Sequence, residues 1–134
     1  MTLSAKNVSA AIAISDGSIL ITRRSPGEKL AGMWEFPGGK QEPGETIYQC
    51  LEREIYEELY VSARAGEVFA ESLYMYEGGA INLVAILIEL DSTEFSLSVH
   101  DAARWVKIES LLNYELAPAD IPIAERIVEI YGGT

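Results

Sequence analysis

Cysteine and histidine are almost missing from this sequence, which holds one of each, Cys50 and His100. A lone thiol excludes an internal disulfide, and the place of Cys50 among apolar helix positions makes it a buried thiol rather than a nucleophile. A lone histidine in a loop is expected to be a solvated bystander. Basic residues are scarce, ten against 21 acidic ones, for a formal charge of −11. Such a surface attracts neither a nucleic-acid polymer nor an anionic membrane, so a phosphate-bearing ligand must be handled locally by a bound cation or a few placed arginines. No segment approaches the ~18 apolar residues of a membrane span. Met1 to Val8 lacks the basic start and apolar run of a signal peptide, so a cytoplasmic protein is expected. There is no low-complexity stretch and no Pro- or Ser-rich linker.

What is present is 134 residues, 49% of them apolar and 23% charged, and this size and balance predict one globular domain spanning 1–134. Val8 to Ser15 and Ser18 to Arg24 read as strands joined by the Asp16-Gly17 hairpin signal. Ser25 to Met33 is a loop, and Trp34-Glu35-Phe36 is a short strand stopped by Pro37-Gly38-Gly39. Glu67 to Tyr76 and Ala80 to Leu90 predict a second hairpin turning at Glu77-Gly78-Gly79, and a short strand follows at Ala103 to Lys107. Asp120, as an N-cap, precedes a helix with Pro122 in its first turn and apolar Ile123, Ile127 and Ile130. Hairpins mixed with two helices give an α/β class sandwich around one sheet.

The other helix, about Thr46 to Tyr60, carries the chemistry. Ile47, Leu51, Ile55 and Leu59 form its inward stripe, while Glu54, Glu57 and Glu58 fall within an arc of about 100° that overlaps Ile47 and Cys50. Carboxylates crowded at the core border repel one another and lose solvent, which a divalent cation would relieve. Oxygen donors at i, i+3, i+4 suit a hard ion such as Mg²⁺. A solvated acidic face with i, i+4 partners, such as Arg53 with Glu57, fits the same spacing.

The stretch from Gly39 to Val61 resembles the Nudix box. Gly39, Glu45, Arg53, Glu54, Ile55, Glu57, Glu58 and Val61 occupy the box positions, and the one departure is Tyr60 in place of the late glycine. Trp34 to Lys40, the Arg23-Arg24 pair and Leu116 to Pro122 are similar to the MutT branch. The resemblance implies a Nudix-type α/β/α sandwich around a mixed β-sheet. It also implies a nucleoside triphosphate pyrophosphohydrolase that releases a nucleoside monophosphate and pyrophosphate, with Mg²⁺, or Mn²⁺ in its stead, as cofactor. By resemblance the Gly38 carbonyl, Glu54, Glu57 and Glu58 would hold the metal, Arg53 would brace the helix and Glu45 would anchor the loop. Arg23 would contact phosphate and Asp120 the base edge, where a carboxylate can accept from an amino group such as cytosine N4. Trp34 and Phe36 serve either as core or as a base-stacking wall. The substrate is then an oxidised purine nucleotide such as 8-oxo-dGTP or a (d)CTP-like pyrimidine.

Two departures bear on this expectation. Tyr60 requires the helix to end either in a strained left-handed residue, at about 1–2 kcal/mol, or in another shape. Val99 stands where MutT-type enzymes place a further glutamate, with His100 and Asp101 beside it, which leaves Glu54 as the expected general base. Val99 also motivates a rival from another class, a nucleotide-sensing domain without turnover. A hydrolase of nucleotide sugars or dinucleotides is a third reading. The expected partner is the small nucleotide alone, for a monomer or homodimer.

Overall fold

β1 (Lys6–Ile12) sends Ala10 and Ile12 into one apolar cluster and Ala11 into another, because successive side chains of a strand face opposite sides. β3 (Ser18–Arg24) repeats the division with Ile19 and Ile21 on one side and Leu20 on the other. β6 (Gly79–Leu90) does the same with Leu83 and Ala85 against Val84, Ile86 and Ile88. α1 (Ile47–Leu59) closes the second cluster with Leu51, Ile55 and Leu59, and α2 (Ile121–Tyr131) closes the first with Ile123, Ala124 and Ile127. The result is the expected α/β/α layering. The structure is a computed structural model that describes residues 5–76, 78–92 and 100–132, the stretch 100–102 by backbone alone.

The strands form two sheets rather than one. β1 runs parallel to β6, with Ser9 opposite Val84, and β6 pairs antiparallel with β5 (Ala63–Tyr76). The second sheet is centred on β3, which pairs antiparallel with β2 (Ile14–Ser15), β4 (Trp34–Glu35) and β7 (His100–Lys107). The strand expected over Val8 to Ser15 breaks at Ala13, where the chain passes from one sheet to the other. The Asp16-Gly17 turn is as expected, with φ of 50° and 77°, the double positive φ of a type I′ hairpin.

Both ends of α1 follow from local chemistry. Thr46 caps it: its hydroxyl accepts from Gln49 N while Gln49 Oε1 accepts from Thr46 N, a reciprocal capping box. At the other end Tyr60 takes the left-handed conformation at φ 55°, ψ 36° and donates its N–H to the Tyr56 carbonyl, so the chain keeps the glycine geometry without the glycine. α2 departs from expectation twice. Asp120 precedes it in helical conformation and makes no side-chain cap bond, and Ile130 is 49% exposed, with Ala124 completing the buried stripe instead. Among the described residues no helix is long and apolar enough to cross a membrane.

Candidate active site

Arg53 organises the exposed flank of α1. Its Nε donates to Glu45 Oε2 at 3.0 Å and its Nη2 to Glu45 Oε1 at 2.8 Å, a two-pronged match of guanidinium to carboxylate. Nη1 reaches Glu54 at 3.1 Å and Glu57 at 2.8 Å, and Nη2 also meets the Lys40 carbonyl at 3.1 Å. The Arg53 guanidinium, helped by the Glu42 N–H, holds the Glu45 carboxyl down to about 2. Glu45 in turn does most to strengthen the protonation of Arg53. Arg53 thus ties α1 to the loop before it through Glu45, as the box resemblance implied, and the i, i+4 pairing with Glu57 is present as well.

The three acids differ in burial. Glu57 is exposed, Glu54 is partly buried, and Glu58 is only 6% exposed. Burial pushes the Glu58 carboxyl up to about 9, with Glu54 and Glu35 adding to the effect against a bond from the Gly38 N–H. Burial also raises Glu54, against its Arg53 bond. Glu54 and Glu58 are therefore the desolvated acids that the periodicity predicted, whereas Glu57 stands in solvent against Arg53.

Opposite the helix runs the Pro37-Gly38-Gly39-Lys40 segment, laid along β1. Ala11 N donates to Pro37 O at 2.7 Å, Ser9 N to Gly39 O at 2.7 Å and Gln41 N to Asn7 O at 3.0 Å. Close approach to backbone requires glycine at 38, and a side chain at 39 would have to displace the Glu54 carboxyl. A Cβ on Gly38 would stand 2.0 Å from the Ser9 carbonyl oxygen, and one on Gly39 would fall 2.2 Å from the Glu54 carboxyl carbon.

A second group of acids lies beside β4. The Asp120 carboxylate accepts the Phe36 N–H at 2.9 Å, and burial holds its acid up to about 8, with Glu35 pushing the same way. Arg24 bonds Glu35 at 3.1 and 3.3 Å, Glu28 at 2.7 Å and the Lys29 carbonyl at 2.7 Å, so it fastens the loop after β3. Arg23 points to the other face of β3, its guanidinium 5.4 Å from the centre of the Trp34 ring. Arg104 lies over the same ring at 5.1 Å and over Tyr114 at 6.0 Å.

The structure thus gathers Gly38, Arg53, Glu54, Glu57 and Glu58 along one seam, and places Asp120 at its end through Phe36. Arg23 lies over the Trp34 ring, on the face of β3 that carries the α2-side core. Trp34 and Phe36 are both buried in that core, and Trp34 also carries the two guanidinium groups. Val99 lies outside the described residues, and only the backbone of His100 and Asp101 is described. Sequence reasoning passed over Ser9, Glu35, Arg104 and Tyr114. Tertiary contacts bring them in, Arg104 and Tyr114 meeting at the Trp34 ring, although Glu35 stands directly beside the motif segment.

Among the described residues no three acidic, histidine or cysteine side chains converge closely enough to hold a metal in this arrangement, because Arg53 draws Glu54 and Glu57 to itself. The donor set nonetheless fits a hard divalent ion. Every candidate ligand is oxygen, and burial raises both Glu54 and Glu58, a cost that a divalent ion beside them would relieve.

The NUDIX domain family matches residues 5–127, the seam included. The chain belongs to the Nudix family. It is similar to the CTP pyrophosphohydrolase of Escherichia coli K12, 40% identical over 92% of this chain and 91% of that one. It is also similar to the 8-oxo-dGTP diphosphatase of the same organism, 30% identical over 84% and 87%. Among solved structures, the Escherichia coli ORF135 protein superposes with a TM-score of 0.86 at 38% identity, covering 96% of this chain and 91% of that one. The MutT protein of Methanosarcina mazei Go1 shares the fold, with a TM-score of 0.86 over 97% of both chains. The protein is therefore a Nudix hydrolase, and the stretch from Gly39 to Val61, with α1 within it, is its Nudix box.

Proposed function

We propose that this Nudix hydrolase cleaves a nucleoside triphosphate to a nucleoside monophosphate and pyrophosphate in a Mg²⁺-dependent reaction, with a (d)CTP-like pyrimidine nucleotide favoured over an oxidised purine. The observation that carries the chemistry is the seam itself, with Glu54, Glu57 and Glu58 on one face of α1 against the glycine cradle. The favoured base rests on likeness to the CTP pyrophosphohydrolase and on Asp120, whose carboxyl lies at the end of that seam.

Gly38, through its carbonyl, and Glu54, Glu57 and Glu58 would hold the ion. When bound, Mg²⁺ supplies charge neutralisation for the phosphates and a fixed direction for the attacking water. Glu54 accepts the proton of that water. Its acid is raised by burial, which makes the carboxylate a stronger base than a solvated one. The water oxygen forms a bond to phosphorus as the bridging P–O bond breaks, and pyrophosphate departs with the electron pair. Arg53 holds Glu54 and Glu57 until the ion arrives, and keeps the helix in place through Glu45. Arg23 offers its guanidinium to a phosphate oxygen, and Asp120 presents its carboxyl to the base edge.

The test is pyrophosphate and phosphate release with Mg²⁺ across standard and oxidised (deoxy)nucleoside triphosphates and ADP-ribose, with Glu57→Gln as control. Pyrophosphate from (d)CTP above all others, lost in the variant, is the expected result. Nucleotide binding by calorimetry with no product from any substrate would overturn the hydrolytic reading and leave a nucleotide sensor.

A further inference from the structure

Gly39 is gripped from one side by a single buried residue. Ser9, 1% exposed, donates its backbone N–H to the Gly39 carbonyl at 2.7 Å, and its hydroxyl lies 3.1 Å from that same carbonyl. The Gly39 N–H donates to the Ser9 hydroxyl oxygen at 3.3 Å. Cys50 Sγ stands behind this pair, 3.4 Å from both Ser9 Oγ and the Gly39 carbonyl oxygen. One proton assignment satisfies the group: the amide donates to Oγ, Oγ–H donates to the Gly39 carbonyl, and the thiol donates to either oxygen.

The consequence follows from peptide geometry. The Gly39 N–H and the Gly38 carbonyl belong to one planar trans unit and point in opposite directions. An N–H directed at Ser9 therefore turns the Gly38 carbonyl away from β1. Glycine at position 38 has no side chain of its own to restrain that plane, and its backbone passes too close to the Ser9 carbonyl for any Cβ. Bonds from Ala11 to the Pro37 carbonyl and from the Ser9 N–H to the Gly39 carbonyl hold the peptide units on either side, and the Ser9 hydroxyl is the side-chain group that meets the unit between them.

We infer that Ser9 is a positioning residue of this enzyme, whose hydroxyl fixes the Gly38–Gly39 peptide plane and so holds the Gly38 carbonyl in the direction required of a metal ligand. The inference rests on the metal site proposed above. Ser9 touches neither substrate nor ion and acts only through Gly39. Cys50 fills space behind it and contributes packing.

The probe is Mn²⁺ alone, titrated by electron paramagnetic resonance into the full chain as wild type, Ser9→Ala and Cys50→Ala, alongside amide hydrogen exchange of Gly39 without metal. Removing a group that orients a ligand typically costs ~10–100-fold in metal affinity, which is the loss expected for Ser9→Ala. Faster exchange at Gly39 is expected with it. Cys50→Ala lowers thermal stability by emptying the same corner yet retains Mn²⁺ affinity, which separates positioning from packing. If Ser9→Ala does not fold, Ser9→Cys, of similar shape but a weaker hydrogen-bond partner, carries the same expectation. A folded Ser9 variant with wild-type Mn²⁺ affinity and wild-type Gly39 protection overturns the inference. A wild-type protein that binds no Mn²⁺ overturns instead the metal reading on which it rests.

Discussion

Asp120 and Phe36, 84 residues apart in sequence, are joined by a buried hydrogen bond of 2.9 Å from the Phe36 N–H to the Asp120 carboxylate. This bond pins the start of α2 to the strand that leads into the glycine segment. It also explains why Asp120 does not cap α2: its carboxylate is turned to the neighbouring strand.

The acid so placed should make stability depend on pH. Its value of about 8 in the fold lies above the ordinary 3.8, so the native state retains a proton that the unfolded chain releases. The stabilisation is complete below about 3.8, and it is lost progressively as pH rises through about 8. Asp120→Asn keeps an acceptor for the Phe36 N–H and has no charge to bury. Thermal melts of the metal-free protein between pH 5 and 9 should fall less steeply for the variant than for wild type, with Glu58 still contributing some slope. Parallel curves would disprove the assignment.

Arg53→Lys should cost more than a surface substitution. A lysine cannot make the forked contact with Glu45, and hydrogen bonds to charged groups are worth about 1.5–3 kcal/mol. We expect a loss of about 2 kcal/mol by urea denaturation. Lower turnover should accompany it as Glu54 and Glu57 lose their shared partner. Stability within about 0.5 kcal/mol of wild type would show the fork to be energetically idle.

Tyr60→Gly should stabilise. A left-handed non-glycine residue costs about 1–2 kcal/mol, offset in part by the edge-to-face contact of Tyr60 with Tyr56, with ring centres 6.4 Å apart. The expected gain is about 0.5–1 kcal/mol, read as a melting temperature a few degrees higher with turnover unchanged. A lower melting temperature would mean that the tyrosine pair matters more than the strain.

Arg23→Ala should raise KM for the nucleotide by about tenfold with a smaller change in kcat, the pattern of a group that binds ground and transition states alike. The indole beneath it provides an independent readout, because Trp34 loses a guanidinium from its face and its fluorescence should shift. An unchanged KM would confine Arg23 to packing on Trp34.

Much of this site was legible in the sequence because its parts are local. Arg53 and the three glutamates lie on one helix and Asp16-Gly17 forms one turn, so spacing located them, while their roles came only with the Nudix resemblance. The division into two sheets was not legible, since Ala13 looks like any other strand residue until the partners of β1 and β3 are known. Asp120 misled for a related reason: an aspartate before Ile121-Pro122 satisfies every local rule for a cap, and only a strand far away in sequence shows where its carboxylate goes. Ser9 carries no signal of its own, since its partner is a backbone amide in the segment that runs antiparallel along β1.

The double neighbourhood of β1 also dictates an order of events during synthesis. By the time α1 has been translated, every proposed ligand for the ion already exists. The strand that steadies the glycine segment, however, is itself held on its other side by Ile81 to Leu87 of β6. A nascent chain that stops short of that stretch carries the whole motif without the support that shapes it. Metal capture at the proposed site would therefore wait on β6 leaving the ribosome, and a chain cut short of it would carry the complete box without the support for its glycine segment.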